Sequence, residues 1–376
     1  MTLLLLCNRF PPAVDGVGDY TFNLAKALSR AGVRVHIICR TQNLIDSIEG
    51  VSVYPVVESW NNKAGRDILE LLPKIKPDWV GIQYVPTGFQ RRGMPLGLPG
   101  LVGALKKRGC RVFTMFHEVK VRKHGIRSCL TGSIQHRIAQ ALCRYSDKTI
   151  TSIELYARLL GTYQEQTAII PVGPNAFPEP ADLAEQQEFQ SPVAFEGWPV
   201  LCTFGDRDLR SLLVAVQQLL PDFPDLRLII CGKNRTQADR QQFPFAIPTG
   251  YLMPAEIRAC LKAGDLFILP DPVSPGGYGG SSNKSGSLAA AFAAGLPILG
   301  TRGNLNNALL KHGKNIFLVD RPNADMLKTA IKTLLEQPEL RKALGMAGRT
   351  LYSNHLAWQV LADRYLHVLN NHDTGT

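Results

Sequence analysis

The sequence predicts an α/β protein made of two parallel-sheet halves, and three observations predict it. Short apolar runs alternate with stretches of helical spacing, the pattern left when strands are joined through crossover helices. A proline-rich break interrupts this alternation near the middle of the chain. Beyond the break the same alternation begins again.

In the first half, Leu3–Cys7, Val33–Cys39, Val51–Val57, Trp79–Tyr84, Val112–His117 and Lys148–Ser152 read as buried strands. Between the first two, Tyr20, Leu24, Ala27, Leu28 and Ala31 recur at helical spacing, and Gly32 ends the helix. The break holds six prolines (Pro171, Pro174, Pro178, Pro180, Pro192, Pro199) around polar Asp182–Gln190, the composition of a linker. After it, Val200–Phe204, Leu226–Cys231, Leu266–Pro270, Ile298–Gly300 and Ile316–Val319 read as strands. Leu209–Leu220, Pro254–Ala263 and Lys284–Ala294 read as the helices between them, and further helices lie near Pro338–Tyr352 and Trp358–Leu369. The expected division is a first domain over 1–175, a linker over 176–198 and a second domain over 199–352. A last helical segment over 353–370 and a loose tail over 371–376 complete it. Two such halves place a ligand at the carboxyl ends of their strands, where both can meet over it.

Of the 376 residues, 45% are hydrophobic and 19% charged, enough apolar material for a core in each half. No segment approaches the ~20 apolar residues of a membrane-spanning helix. Leu3-Leu4-Leu5-Leu6-Cys7 lacks a basic start and a cleavage site, so it reads as a first strand and not as a signal peptide. The eight cysteines show neither CxxC pairing nor metal-ligand spacing, which suits small buried residues in a reducing cytoplasm, and no metal site is expected. The net charge of +11 is uneven. Residues 1–180 carry 23 Lys and Arg against 13 Asp and Glu, whereas residues 181–376 carry 19 against 18. The excess is dense around Lys106, Lys107, Arg108, Arg111, Lys120, Arg122, Lys123 and Arg127. This suggests an anionic partner for the first half, such as a membrane surface, a lipid phosphate or an acidic glycan. The alternative is a solvated surface that is simply basic.

The loop between the first strand and first helix runs Phe10-Pro11-Pro12-Ala13-Val14-Asp15-Gly16-Val17-Gly18-Asp19-Tyr20. Its glycines allow close backbone approach, and the helix start behind it favours an anion. It is not the GxGxxG fingerprint, so hydride transfer has no support here. The plain alternative is a tight turn that binds nothing. With Asn23-Leu24-Ala25-Lys26-Ala27-Leu28 and Gly32-Val33-Arg34-Val35, this opening resembles that of family 4 glycosyltransferases, retaining enzymes of the GT-B fold. The resemblance implies two Rossmann-like domains facing across a cleft, with the last helix, carrying Trp358 and Tyr365, returning to the first. It implies that the glycine loop approaches the donor pyrophosphate. The family has Gly-Gly where this chain has Asp15-Gly16. An inward carboxylate would repel phosphate, so Gly16 takes that part and Asp15 meets a sugar or acceptor hydroxyl.

Other segments extend the resemblance. His117, in Thr114-Met115-Phe116-His117-Glu118 at a strand end, matches a family histidine that contacts the sugar or its departing phosphate. Glu118 would orient the imidazole or meet the acceptor. A structural histidine is the alternative. Gln83-Tyr84-Val85-Pro86 and Gly88-Phe89-Gln90-Arg91-Arg92-Gly93 resemble a subset of the family and place Tyr84, Arg91 and Arg92 on the acceptor side. In Gly205-Asp206-Arg207-Asp208-Leu209-Arg210, Arg207 and Arg210 stand for the family's two cations on the pyrophosphate, an exchange of Arg for Lys that phosphate geometry tolerates. Thr249-Gly250-Tyr251-Leu252 matches the nucleotide-base loop, with Tyr251 near the base or merely packing. His312–Val319 matches a later strand.

Ser285-Gly286-Ser287-Leu288 through Gly295-Leu296-Pro297 has the family's donor-loop shape but departs from it in chemistry. The family's two glutamates, with seven residues between them, align with Ser282 and Ala290. Either this is a sub-branch that reads the donor through Ser282, Asn283, Lys284, Ser285 and helix-start amides, or donor binding is lost and the protein is a non-catalytic relative. A nucleotide-sugar epimerase on the same fold is a further alternative. The leading expectation is a cytoplasmic enzyme, peripheral at the inner face of the plasma membrane. It would move a sugar from a nucleotide sugar to a glycan or lipid-linked acceptor in polysaccharide or glycolipid synthesis, with no separate cofactor and no nucleic-acid partner.

Overall fold

The computed structural model describes residues 1–41, 50–120, 126–163, 165, 167–176, 197, 199–232 and 242–371, with only the backbone described over 126–130. It divides into two compact units, Met1–Pro171 with Trp358–Thr376, and Val172–Ala357.

In the first unit the strands are β1 (Thr2–Leu6), β2 (Arg34–Arg40), β3 (Val51–Val57), β4 (Trp79–Tyr84), β5 (Arg111–Phe116), β6 (Lys148–Thr151) and β7 (Thr167–Ile169). They form one sheet in the order β3-β2-β1-β4-β5-β6-β7, with every pair parallel. The connecting helices are α1 (Gly16–Arg30), α2 (Asn62–Ile75), α3 (Pro86–Phe89), α4 (Leu98–Lys107), α5 (Ile126–Tyr145) and α6 (Glu154–Leu159). All six residues of β4 are buried, as expected of a central parallel strand covered on both faces. That burial is why β1 and β4 read as largely apolar runs and not as alternating ones.

The second unit repeats the plan. Its elements are β8 (Val200–Phe204), α7 (Arg210–Gln217), β9 (Arg227–Cys231), β10 (Ala246–Gly250), α8 (Pro254–Lys262), β11 (Leu266–Ile268), α9 (Gly286–Ala294), β12 (Ile298–Thr301), β13 (Phe317–Val319), α10 (Ala324–Glu336) and α11 (Pro338–Leu351). The sheet order is β10-β9-β8-β11-β12-β13, again all parallel. In both sheets the chain winds outward from its first strand and then resumes on that strand's other side. The loops leaving the two central strands therefore diverge, and a crevice opens at their carboxyl ends. In the first unit this switch point lies between β1 and β4, and in the second between β8 and β11.

Helix α9 has buried residues from Leu288 through Ala293, the mark of a helix packed on all sides. Its alanines let α11 come close: a Cβ on Gly348 would lie 2.7 Å from the Phe292 ring, and one on Gly345 would lie 2.3 Å from the Gly295 carbonyl oxygen.

The structure departs from the sequence expectations at several points. Strands β7 and β10 and helices α2 to α6 and α10 go beyond the sequence reading. Strand β7 is only three residues long, and β10 carries Pro248 on a sheet edge, where a missing N–H is tolerated. The first unit ends at Pro171 rather than at residue 175. Val172 N–H donates to the Asn283 carbonyl at 2.8 Å and the Arg258 guanidinium donates to the Ala176 carbonyl at 3.1 Å, binding 172–176 to the second unit. The second unit runs to Ala357, past residue 352. Most of the expected linker, 177–196 and Trp198, lies outside the described residues, as does the tail beyond Asn371. Helix α12 (Trp358–Asn370) belongs to the first unit: Trp358, Leu361, Ala362, Tyr365 and Leu369 form its buried stripe. Seven cysteines have described side chains, and all are buried free thiols. Among the described residues no helix is long and apolar enough to cross a membrane.

Candidate functional site

In the second unit, the loops after β8 and β11 meet at the switch point through one arginine. Arg207 Nε donates to Asp271 Oδ1 at 3.1 Å, its Nη1 donates to the Phe204 carbonyl, and its Nη2 donates to Ser287 Oγ at 3.0 Å and Ser285 Oγ at 3.4 Å. The other carboxylate oxygen of Asp271 accepts from Ser281 Oγ at 3.1 Å, and Ser281 Oγ accepts from Thr301 N–H at 3.0 Å. The ion pair is shielded, with side chains 12% and 20% exposed. Gly205, at φ +106°, makes the turn that folds Arg207 back, and a Cβ there would lie 2.5 Å from a guanidinium nitrogen.

This network ends on the amino terminus of α9. Ser285 is the N-cap, its Oγ accepting from Leu288 N–H at 3.3 Å and lying 3.0 Å from Ser287 Oγ. The two hydroxyls share one hydrogen between them, which leaves the second to donate outward. The first-turn amides of an α-helix have no partner within the helix, so this end suits an anion. The loop before it is rigid. Ser282 is 3% exposed and its Oγ accepts from Lys284 N–H, while Asn283 is 1% exposed and its Nδ2 donates to Asn307 Oδ1 at 2.9 Å. Lys284 is half-buried beside them. Ala290, aligned by resemblance with a ribose-binding carboxylate, is fully buried in the core, where a glutamate would have no room.

Of the second unit's expected site residues, Arg207, Ser282, Asn283, Lys284 and Ser285 are thus gathered around one helix start. Arg210 is not. It is exposed and forms a fork with Asp208, Nε to Oδ1 at 3.0 Å, which holds the Asp208 carboxyl down to about 2. Tyr251 is also exposed, at the end of β10. Asp271 and Ser287 were missed, although a carboxylate directly after an apolar strand was a usable signal. Asn175 was missed as well: its side chain lies 3.0 Å from where a Gly286 Cβ would sit, so Gly286 is needed for that approach.

In the first unit, Asp15 is the N-cap of α1, its Oδ2 accepting from Gly18 N–H at 2.9 Å. One oxygen of the carboxylate thereby caps its own helix. Burial raises its pKa, and the Gly18 hydrogen bond offsets this only in part. Burial, with Asp15 beside it, pushes the Asp19 carboxyl up to about 6. Gly18 is needed for packing, since a Cβ there would lie 2.8 Å from the Arg9 carbonyl, whereas Gly16 faces open space.

His117 stands just past β5, its N–H donating to the Tyr84 carbonyl at 3.0 Å. Its Nε2 lies 2.9 Å from Gln83 Oε1, and Tyr20 meets its ring edge-on at 4.7 Å. Burial pulls the imidazole down to about 3, so it is uncharged at neutral pH. Glu118 is half-buried next to it. Tyr84, expected on the acceptor side, is instead wholly buried between Phe116 and Phe89, because it points to the opposite face of the sheet from Gln83. Arg91 and Arg92 are exposed in the turn after α3. Among the described residues no group of three or more His, Cys, Asp or Glu side chains could hold a metal ion. Within the basic run, Lys106 pairs with Asp147 and Arg111 lies over the Trp79 ring, while Arg122 and Lys123 fall outside the described residues.

Comparison with known proteins agrees with this layout. A family model described as Glycosyltransferase Family 4 matches residues 14–175, and one described as Glycosyl transferases group 1 matches residues 206–351. A GDP-mannose-dependent monoacylated alpha-(1-6)-phosphatidylinositol monomannoside mannosyltransferase of Corynebacterium glutamicum is 25% identical over 167 residues, 43% of each chain. Sulfoquinovosyl transferase SQD2 of Arabidopsis thaliana is 23% identical over 157 residues, 40% of this chain and 29% of that one. The matches therefore span less than half the length of these curated relatives. Among solved structures, sucrose-phosphate synthase from Thermosynechococcus elongatus has a TM-score of 0.70 at 16% identity, covering 98% of both chains. Anabaena HepE in complex with UDP and glucose has a TM-score of 0.65 at 15% identity, covering 98% of this chain and 99% of that one. These likenesses show a shared fold.

The geometry makes two outcomes testable. Asp271→Ala removes the counter-charge of a shielded guanidinium and should lower stability by on the order of 2 kcal/mol in urea unfolding. An unchanged midpoint would mean that the pair does not hold the two loops. Asp19 binds its proton more tightly folded than unfolded, so its charged form penalises the fold. The penalty is absent below pH 3.8, grows up to about pH 6 and is complete above it. Asp19→Asn should therefore raise the melting temperature at pH 7.5 and leave it unchanged at pH 3.5.

Proposed function

Because this chain belongs to family 4 of the glycosyltransferases and has the GT-B fold, we propose that it transfers a sugar from a nucleoside-diphosphate donor to a glycan or lipid-linked acceptor, with retention. The observation that carries this reading is the start of α9, where Arg207 fixes Ser285 and Ser287 beside the first-turn amides. The donor diphosphate meets these amides and hydroxyls, and Lys284 adds positive charge. Negative charge builds on the diphosphate as the glycosidic bond breaks, and donors already in place stabilise it without reorganising. The acceptor hydroxyl attacks from the leaving-group face.

The relatives support this. The solved Anabaena structures hold UDP and UDP-glucose, and the names of the curated relatives specify mannosyl and sulfoquinovosyl transfer. The basic excess of residues 1–180 supports a cytoplasmic enzyme working at an anionic membrane face, drawn there by charge.

Incubation with a panel of UDP-, GDP- and ADP-sugars plus lipid extract should release nucleoside diphosphate only when an acceptor is present. Replacing Ser285 and Ser287 together by Ala should slow that release by about 100-fold. Acceptor-independent formation of an epimerised sugar, or no calorimetric affinity for any nucleoside diphosphate, would overturn the proposal. For the membrane, pelleting with anionic vesicles should fall between low and high salt, and equal pelleting with neutral vesicles would remove the electrostatic argument.

A further inference from the structure

Three side chains at the carboxyl edge of the first sheet share one face. Gln83 of β4 pairs in register with Met115 of β5, so Gln83, Met115 and His117 point the same way. Phe116 pairs with Thr151 of β6, which places Ser152 opposite His117 on that same face. Helices α1 and α12 cover it, since Tyr20 meets His117 and Tyr365 meets Phe113.

Gln83 is 1% exposed, and its carboxamide is oriented so that Oε1 faces His117 Nε2 at 2.9 Å. A carbonyl oxygen only accepts, and a neutral imidazole carries one donor nitrogen and one acceptor. With the amide in this orientation the proton sits on Nε2, which leaves the lone pair on Nδ1. Nδ1 makes no hydrogen bond among the described residues. Ser152 Oγ, buried just beyond β6, has no partner among the described residues.

The ring is also held against rotation. Tyr20 packs on its edge, Tyr20 OH lies 2.9 Å from Tyr365 OH, and Trp358 abuts Tyr20 at 5.3 Å. Burial raises both phenol pKa values, so these neighbours remain uncharged over the working pH range. The other end of the Gln83 amide has no partner, although it is buried. An unsatisfied buried amide in a sheet centre calls for an explanation, and a leucine there would avoid it.

We infer that Gln83 is a positioning residue that fixes His117 in the Nε2–H tautomer, so that Nδ1 acts as a hydrogen-bond acceptor toward a sugar or acceptor hydroxyl and not as a cationic phosphate ligand. The tautomer follows from geometry within the first unit, while its use in sugar transfer rests on the function proposed above.

The test is nitrogen-15 NMR of histidine-labelled full-length protein, with His117→Gln identifying the resonance. In the unsubstituted protein His117 should stay a single neutral Nε2–H tautomer from pH 5 to 8. Gln83→Leu should mix the tautomers and lower kcat by about 10- to 100-fold with KM within about twofold, as expected for a misdirected ring. Gln83→Glu, nearly isosteric, should make His117 titrate within the same pH range, because a carboxylate beside Nε2–H favours the imidazolium. If tautomer and titration are the same in all three proteins, the inference is overturned. If His117→Gln transfers sugar at full rate while the tautomer shifts as stated, the role of His117 in the reaction fails and the positioning by Gln83 stands.

Discussion

The ion pair between Arg207 and Asp271 holds together two loops that the sheet topology drives apart. At the switch point between β8 and β11 the chain leaves adjacent strands toward opposite faces, and the hydrogen-bonded ladder does not extend to the loops beyond them. Arg207 joins those loops with each of its three nitrogens: one on Asp271, one on the Phe204 carbonyl, one on the serines of α9. The pair is shielded from water on both sides, so it is costly to break and its charge is largely compensated. Arg207 thus acts as a clamp on the serines at the start of α9, whose first-turn amides favour an anion. An arginine serves this purpose better than a lysine because its planar fork can serve several acceptors at once.

The first unit has the same topology and the opposite chemistry. Its switch-point helix, α1, begins with Asp15 as cap and Asp19 in the first turn, so carboxylates offset the positive end of the helix. That end of the first unit is less favourable to an anion than the start of α9. His117 fits this division. Desolvated and uncharged, with Nε2 facing Gln83, it offers a lone pair rather than a cation. Matching sheets thus carry a helix start clamped by an arginine in one unit and an uncharged histidine at a strand end in the other.

Helix α9 explains the missing carboxylates in packing terms. Its run of alanines lies between the second sheet and α11, whose own glycines bring the backbones together. Ala290 is fully buried in that core, where a glutamate would bring a carboxylate out of water. The polar work at this end of the unit falls instead to the serines and to the rigid Ser282–Asn283 turn ahead of them.

The sequence by itself determined the α/β class, most of the strands and most helices of the second unit, because apolar runs and helical spacing act over a few neighbours. It also drew attention to Arg207, Ser285 and His117, which mark strand ends and a helix start. Short strands such as β7 and β10 escaped it, since three residues or an edge proline leave little pattern. Only the tertiary structure decided partners. Asp15 turned to its own helix, Tyr84 to the core and Arg210 to Asp208, while Asp271, 64 residues from Arg207, became its counter-ion. The physical reason is that charge compensation and burial depend on distance in space, and a parallel sheet places next to each other residues that lie far apart along the chain.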